Sequence, residues 1–179
     1  MKTWIALLRG INVGGRNALP MPALVDRFEG LGLSRVRTHI QSGNAVFHGP
    51  DDEPAALATR IADAIETGHG FRPRVMLLTA DELEGAVIGN PFPDAEAEPN
   101  KLHLFFLERP AGAADRAGLD AAATASERYV LAERVLYLHA PDGFGRSKLA
   151  ERAERLLGVP VTARNWRTVH ALADMARDV

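Results

Sequence analysis

The sequence predicts an α+β protein of two ferredoxin-like, βαββαβ-type halves, with mostly antiparallel sheets and a closing C-terminal helix. Three observations predict it. Short apolar runs alternate with segments of helical period. Two pairs of those runs read as hairpins, turning at Ser42-Gly43, which has tight-turn composition, and at Glu133-Arg134. The order strand, helix, hairpin, helix, strand occurs once in full and then again one strand short. A chain of 179 residues, 46% hydrophobic and 25% charged, is long enough to bury a core without metal or disulfide staples.

Thr3 to Arg9 reads as the first strand, followed by a loop to Leu19. Leu24, Val25, Phe28 and Leu31 then share one helix face, with Pro22 suited to its first turn and Gly30 or Gly32 to its end. Arg35–Gln41 and Asn44–His48 read as a hairpin. The two-residue turn predicts the pairs Gln41 with Asn44, His39 with Val46 and Arg37 with His48 on one polar face. Thr38, Ile40, Ala45 and Phe47 then point to the core. Leu57, Ile61 and Ile65 mark a second helix from Glu53 to about Thr67, and Arg74–Thr79 is the fourth strand.

Asp81–Ile88 reads as a short helix. Asn90–Asn100, with three prolines and three acids, reads as an exposed linker. Leu102–Glu108 opens the second series. An alanine-rich helix to about Ala125, a hairpin Arg128–His139 and a helix Ser147–Leu157 follow, which is βαββα. A closing helix runs from Asn165 to Arg177. Both sides of the second hairpin are apolar, so it is expected to be covered by the other half or by a partner subunit. The domain boundaries follow: a ferredoxin-like half over 1–80, a short helix and linker over 81–100, and a second such half with its closing helix over 101–179.

The absence of cysteine excludes disulfides, thiolate metal sites and a cysteine nucleophile, and it fits a reducing compartment. The apolar stretch Trp4–Leu8 is too short for a signal segment or a membrane span, so a cytoplasmic protein with no membrane partner is expected. A net charge of -2 argues against bulk electrostatic coating of nucleic acid. The average conceals two basic ends, however. Met1–His48 and Phe144–His170 each hold six Lys and Arg against two Asp and Glu. If these ends meet, they create a local positive field on an acidic chain.

Three segments can carry chemistry. In the first, Ala6–Asn17, Gly10, Gly14 and Gly15 follow a strand and precede a helix, with Arg9 and Asn12 beside them. Glycine there allows backbone N–H groups to face an anion, although the spacing is neither a dinucleotide fingerprint nor a P-loop, and turn geometry alone also requires glycine. In the second, Thr38–Phe47, Gln41 and Asn44 either bond each other or offer donors with Arg37, His39 and His48. No carboxylate completes a metal set, and no metal site is expected. In the third, Gly143–Lys148 through Val161–Val169, Ser147 and Asn165 are helix N-caps beside Lys148 and Arg164. The alternative is that they only cap helices while Trp166 and Val169 fill the core.

The combination of Ala6-Leu-Leu-Arg-Gly-Ile-Asn-Val-Gly-Gly15, His39-Ile-Gln-Ser-Gly-Asn44 and Thr162-Ala-Arg-Asn-Trp-Arg-Thr-Val169 resembles the bacterial family termed domain of unknown function 1697. The resemblance covers nearly the whole chain. It implies an α+β fold of ferredoxin-like elements and no particular activity. The start motif more often reads Gly-Gly-Lys/His-Asn in such proteins, and here Arg16 keeps the charge.

The leading expectation is a composite cleft that binds a small anionic ligand, nucleotide-like or phosphorylated. Arg9, Lys148 and Arg164 would neutralise charge, and Gly14 and Gly15 would donate N–H groups. Asn12, Gln41, Asn44 and Asn165 would orient the ligand, with Ser147 at a helix start. No catalytic residue is assigned, because Ser147 and Lys148 are adjacent on a helix and do not face each other, and no cofactor is named. Two alternatives stand beside it: nucleic-acid binding through an open face of the first sheet, and a homodimeric interaction module without ligand. His48 and Val46 stand where a base-stacking sheet would present Phe or Tyr, which places nucleic acid second.

Overall fold

The computed structural model describes residues 1–179. The chain forms two compact units, Met1–Val87 together with His170–Val179, and Ile88–Val169. These limits differ from boundaries at 80/81 and 100/101, since the last turns of the closing helix group with the first unit.

The first unit contains β1 (Lys2–Arg9), α1 (Met21–Gly30), β2 (Ser34–His39), β3 (Asn44–Gly49), α2 (Pro54–His69), β4 (Arg74–Thr79) and α3 (Ala80–Ile88). Its sheet is antiparallel in the order β2-β3-β1-β4, which is the ferredoxin-like arrangement. The pleat sends Trp4, Ala6 and Leu8 to the side where Leu24 and Phe28 of α1 and Leu57, Ile61 and Ile65 of α2 complete a core. Phe28 meets Phe47 edge-on, with ring centroids 5.0 Å apart. Helix ends are set locally. Glu53 caps α2 by accepting from the Ala56 N–H, and Gly70 ends it in a left-handed conformation. Thr79 and Glu82 form a reciprocal capping box at the start of α3.

The first hairpin departs from the expected register. His39 pairs with Asn44, Thr38 with Ala45, Arg37 with Val46 and Ser34 with His48, so the turn has four residues, Ile40 to Gly43. Its cause is the close seat of Gly43, whose carbonyl accepts from the Leu8 N–H at 2.7 Å. The wider turn also lets the Asn44 amide donate to the His39 carbonyl and the Ser42 hydroxyl. Gln41 therefore does not oppose Asn44, and Ile40 leaves the core face. The sheet face expected to be open is not: Ile5, Leu7, Asn44, Val46, Met76 and Leu78 are all buried.

The second unit contains β5 (Leu102–Leu107), α4 (Arg116–Ala122), β6 (Arg128–Leu131), β7 (Val135–His139), α5 (Lys148–Leu157) and β8 (Val161–Asn165). The order β6-β7-β5-β8 repeats the first sheet strand for strand. Strand β8 is the one missing from the βαββα reading, and it turns the near-repeat into a complete βαββαβ. Phe105, Leu107, Leu136 and Leu138 pack on Leu119 of α4 and on Leu149, Ala153 and Leu156 of α5.

The second hairpin has the expected register, Leu131 opposite Leu136. Leu136, Tyr137 and Leu138 are buried within the single chain, but β6 is a half-exposed edge with Val130 40% exposed. Asn90–Asn100 is not a bare linker. It contains a 3-10 turn at Pro93–Ala97, with Phe92 and Ala95 buried. Arg128 holds this turn with two bonds to Asp94, and its guanidinium lies 4.7 Å from the Phe92 ring centre. The closing helix α6 (Trp166–Arg177) follows directly on β8. No helix is long and apolar enough to cross a membrane.

Candidate functional site

The chain leaves β1 through a run of residues able to take left-handed backbone. Gly10, Asn12, Gly14, Gly15 and Asn17 all have φ between 51° and 83°. Glycine adopts this region freely, and asparagine tolerates it best among the others. Gly14 and Gly15 turn a miniature hairpin in which the Arg16 N–H donates to the Val13 carbonyl at 3.0 Å. Two successive left-handed residues are the signature of a type I′ turn. An anion-cradling nest instead alternates hands, so this corner does not aim both glycine N–H groups at one point.

Asn12 organises the loop. Its amide nitrogen donates to the Leu19 carbonyl at 2.9 Å and to the Gln41 carbonyl at 2.8 Å, and its amide oxygen accepts from the Leu19 N–H at 2.7 Å. Asn17 adds a bond to the Gly10 carbonyl. One side chain thus closes its own loop and stitches it to the hairpin turn at Ile40–Gly43. An Asn12→Asp variant keeps the acceptor and loses both donors, in nearly unchanged volume. It is expected to destabilise the chain by about 2 kcal/mol and to speed amide exchange across 40–43. Unchanged exchange in that turn would show that the stitch does not hold it.

The expected site residues divide into two kinds. Asn12, Asn44, Ser147 and Asn165 are committed to the backbone. Asn44 is fully buried and holds its turn, while Ser147 accepts from the Ala150 N–H at 3.0 Å and Asn165 from the Thr168 N–H at 2.9 Å. Ser147, buried and capping α5, is thereby withdrawn from nucleophilic use as well. Arg9, Gly14, Gly15, Gln41 and Lys148 are exposed. Arg164 is half-buried and donates to the Ala163 carbonyl. Burial lowers its pKa to about 10, which leaves it cationic at neutral pH.

Arg9, Asn12, Gly14, Gly15, Gln41 and Asn44 lie in the first unit. Ser147, Lys148, Arg164 and Asn165 lie in the second. Within the first unit, the structure brings the Gly10–Asn17 loop and the Ile40–Gly43 turn together at one end of the sheet. No group of three or more His, Asp or Glu is placed to hold a metal ion. The Asn12 stitch goes beyond the expected site, and asparagine inside a glycine-rich run is its sequence signal. Arg16 and Ile40 are further exposed members of this end.

The comparisons with known proteins agree with this architecture. Residues 1–137 match the model of a family described as a protein of unknown function, DUF1697. No curated protein matches the chain. Among solved structures, the chain is similar to the conserved bacterial protein SP0830 from Streptococcus pneumoniae. The TM-score is 0.74 at 22% identity, over 98% of each chain. At that identity the likeness speaks for the fold alone. With the family model matched over residues 1–137 and the fold shared along nearly the whole length, the chain belongs to the DUF1697 family of proteins of unknown function.

Proposed function

We propose that the protein binds a small anionic ligand, nucleotide-like or phosphorylated, at the stitched-turn end of the first sheet. The observation that carries this reading is the Asn12 stitch. It fixes an acid-free pair of turns from which Arg9, Arg16 and Gln41 reach solvent. No Asp or Glu occurs from Gly10 to Val25 or from Gly30 to Pro50, so the two turns themselves carry no acid. In this reading Arg9 and Arg16 supply charge and the Gln41 amide supplies direction. Gly14 and Gly15 keep the corner free of side chains, since nothing lies within 4 Å of where their Cβ atoms would be. It is a binding reading without an assigned catalytic residue.

Nucleotides, pyrophosphate and inorganic phosphate at millimolar concentration test it by thermal shift. A ligand present at about a hundredfold over its Kd stabilises the fold by about 2.7 kcal/mol. Arg16→Ala is expected to weaken binding roughly tenfold, the value of one charge-assisted hydrogen bond. A melting temperature indifferent to all three anions would count decisively against the reading.

A further inference from the structure

Ile40 is the least expected residue of the hairpin turn. It has φ of 49°, and its side chain is 53% exposed. A β-branched residue crowds its own backbone in the left-handed region, where glycine or asparagine sits without penalty. Strain of this kind is ordinarily repaid by packing within the fold, as it would be if Ile40 faced the core. Here Ile40 lies outside the core cluster that contains Ala45 and Phe47. The chain therefore carries an aliphatic side chain, at a conformational cost, where its own interior gains little from it.

Val13 stands in the same situation on the neighbouring turn. It is 67% exposed at the corner of the miniature hairpin. Asn12 directly precedes Val13, and Gln41 directly follows Ile40. The 2.8 Å bond from the Asn12 amide to the Gln41 carbonyl therefore holds the two aliphatic residues on adjoining tips. Exposed aliphatic side chains give an anion nothing to bond, whereas a protein partner buries them. The complement of two exposed aliphatic side chains is an apolar groove, and grooves that receive aliphatic anchors belong to proteins.

Charge states the rest of the partner's chemistry. Arg9, Arg16 and Arg37 are exposed on the segments leading to these tips, and those segments contain no acid. A second copy meeting the same tips would oppose arginine to arginine. A complementary groove is rimmed by carboxylates. We infer that Val13 and Ile40 are the anchors of a docking surface for an acidic protein partner, which seats both tips in an apolar groove bordered by Asp or Glu. This goes beyond the anion reading and does not depend on it.

The first test needs no partner. Ile40→Asn relieves the left-handed strain, and the melting temperature is expected to hold or rise by roughly a few degrees. A fall of several degrees would show that Ile40 packs within the chain and would overturn the inference. The second test selects binders from a displayed library of small folded domains with a randomised surface groove, on the intact wild-type protein. Enriched sequences are expected to combine Asp or Glu with Leu, Ile, Val or Phe, and synthetic copies should bind more weakly as salt rises. Ile40→Asn or Val13→Ser should weaken them at least about tenfold. Failure to enrich such a motif, equal binding by both variants, or Ile40-dependent binding of a single-stranded oligonucleotide in place of the selected domains would each overturn it. Nucleotide or phosphate binding that survives in Ile40→Asn is compatible with either outcome, so the two readings fail separately.

Discussion

Replacing Gly43 with alanine is expected to destabilise the protein by about 3 kcal/mol, against about 1 kcal/mol for the same change at Gly15. The two glycines have similar backbone, φ of 82° and 74°. Their surroundings differ. A Cβ on Gly15 would meet nothing within 4 Å, whereas one on Gly43 would lie 2.7 Å from the Leu8 Cβ and 2.7 Å from the Ile11 Cδ1. Leu8 cannot yield, because that atom is fixed to the buried backbone of β1. The Gly43 carbonyl also accepts from the Leu8 N–H, so any retreat of the turn breaks a bond at the sheet's end. Paired denaturation of both variants isolates the steric part from the common conformational part. Equal losses at the two positions would mean that the hairpin does not seat on Leu8.

That close seat also explains why the hairpin was only partly legible. Ser42-Gly43 is a good two-residue turn by local rules, and local rules see no neighbours. The register is instead decided by a contact with Leu8 and Ile11, more than thirty residues away in sequence, together with the buried amide of Asn44. The slip removed Gln41 from the paired strands and put Ile40 outside. Strand β8 was obscured differently. Val161-Thr-Ala follows Gly158-Val-Pro160 and has strand composition, but the run is short and Asn165, a strong helix cap, follows at once. In the structure Asn165 does both, ending β8 and capping α6.

Elements whose pattern is local were read correctly. Helices α1, α2 and α5 announce themselves through apolar spacing, with Pro22 in the first turn of α1 and Ser147 capping α5. The topology followed from their order. The site was legible as motifs and less so as roles. Asparagine, serine and glutamine look alike as potential ligand groups, and only the structure tells which are used internally. Asn12, Asn44, Ser147 and Asn165 proved to be builders of turns and caps. What these residues build, in the first unit, is a rigid platform from which a few arginines and two aliphatic tips project. The conspicuous polar residues thus serve the scaffold, and the outward-facing chemistry belongs to less conspicuous neighbours.

The second unit should reveal itself through pH. His103 lies on β5, between Leu138 of β7 and Asn165 of β8, and its ring stacks on Phe144 with centroids 3.7 Å apart and planes inclined by 16°. Its Nδ1 is buried without a hydrogen-bond partner. Burial therefore disfavours the charged ring and lowers its pKa from 6.5 to about 4. In the unfolded chain the same ring takes up a proton near 6.5. Between these values the unfolded state binds the proton and the folded state does not, so stability is intact above the upper value and falls as pH drops toward the lower. The shift corresponds to about 3 kcal/mol across that window, after which His103 adds no further slope. His103→Phe keeps the stack on Phe144, removes the titrating group and leaves no nitrogen unpaired. The variant should match or exceed the wild type near neutrality and lose less stability on acidification. Urea titrations of both proteins at several pH values between about 7 and 4 give the difference directly. Parallel pH profiles would show that His103 is not the buried neutral base the structure makes it, because other carboxylates and histidines titrate alike in both chains and cancel from the comparison.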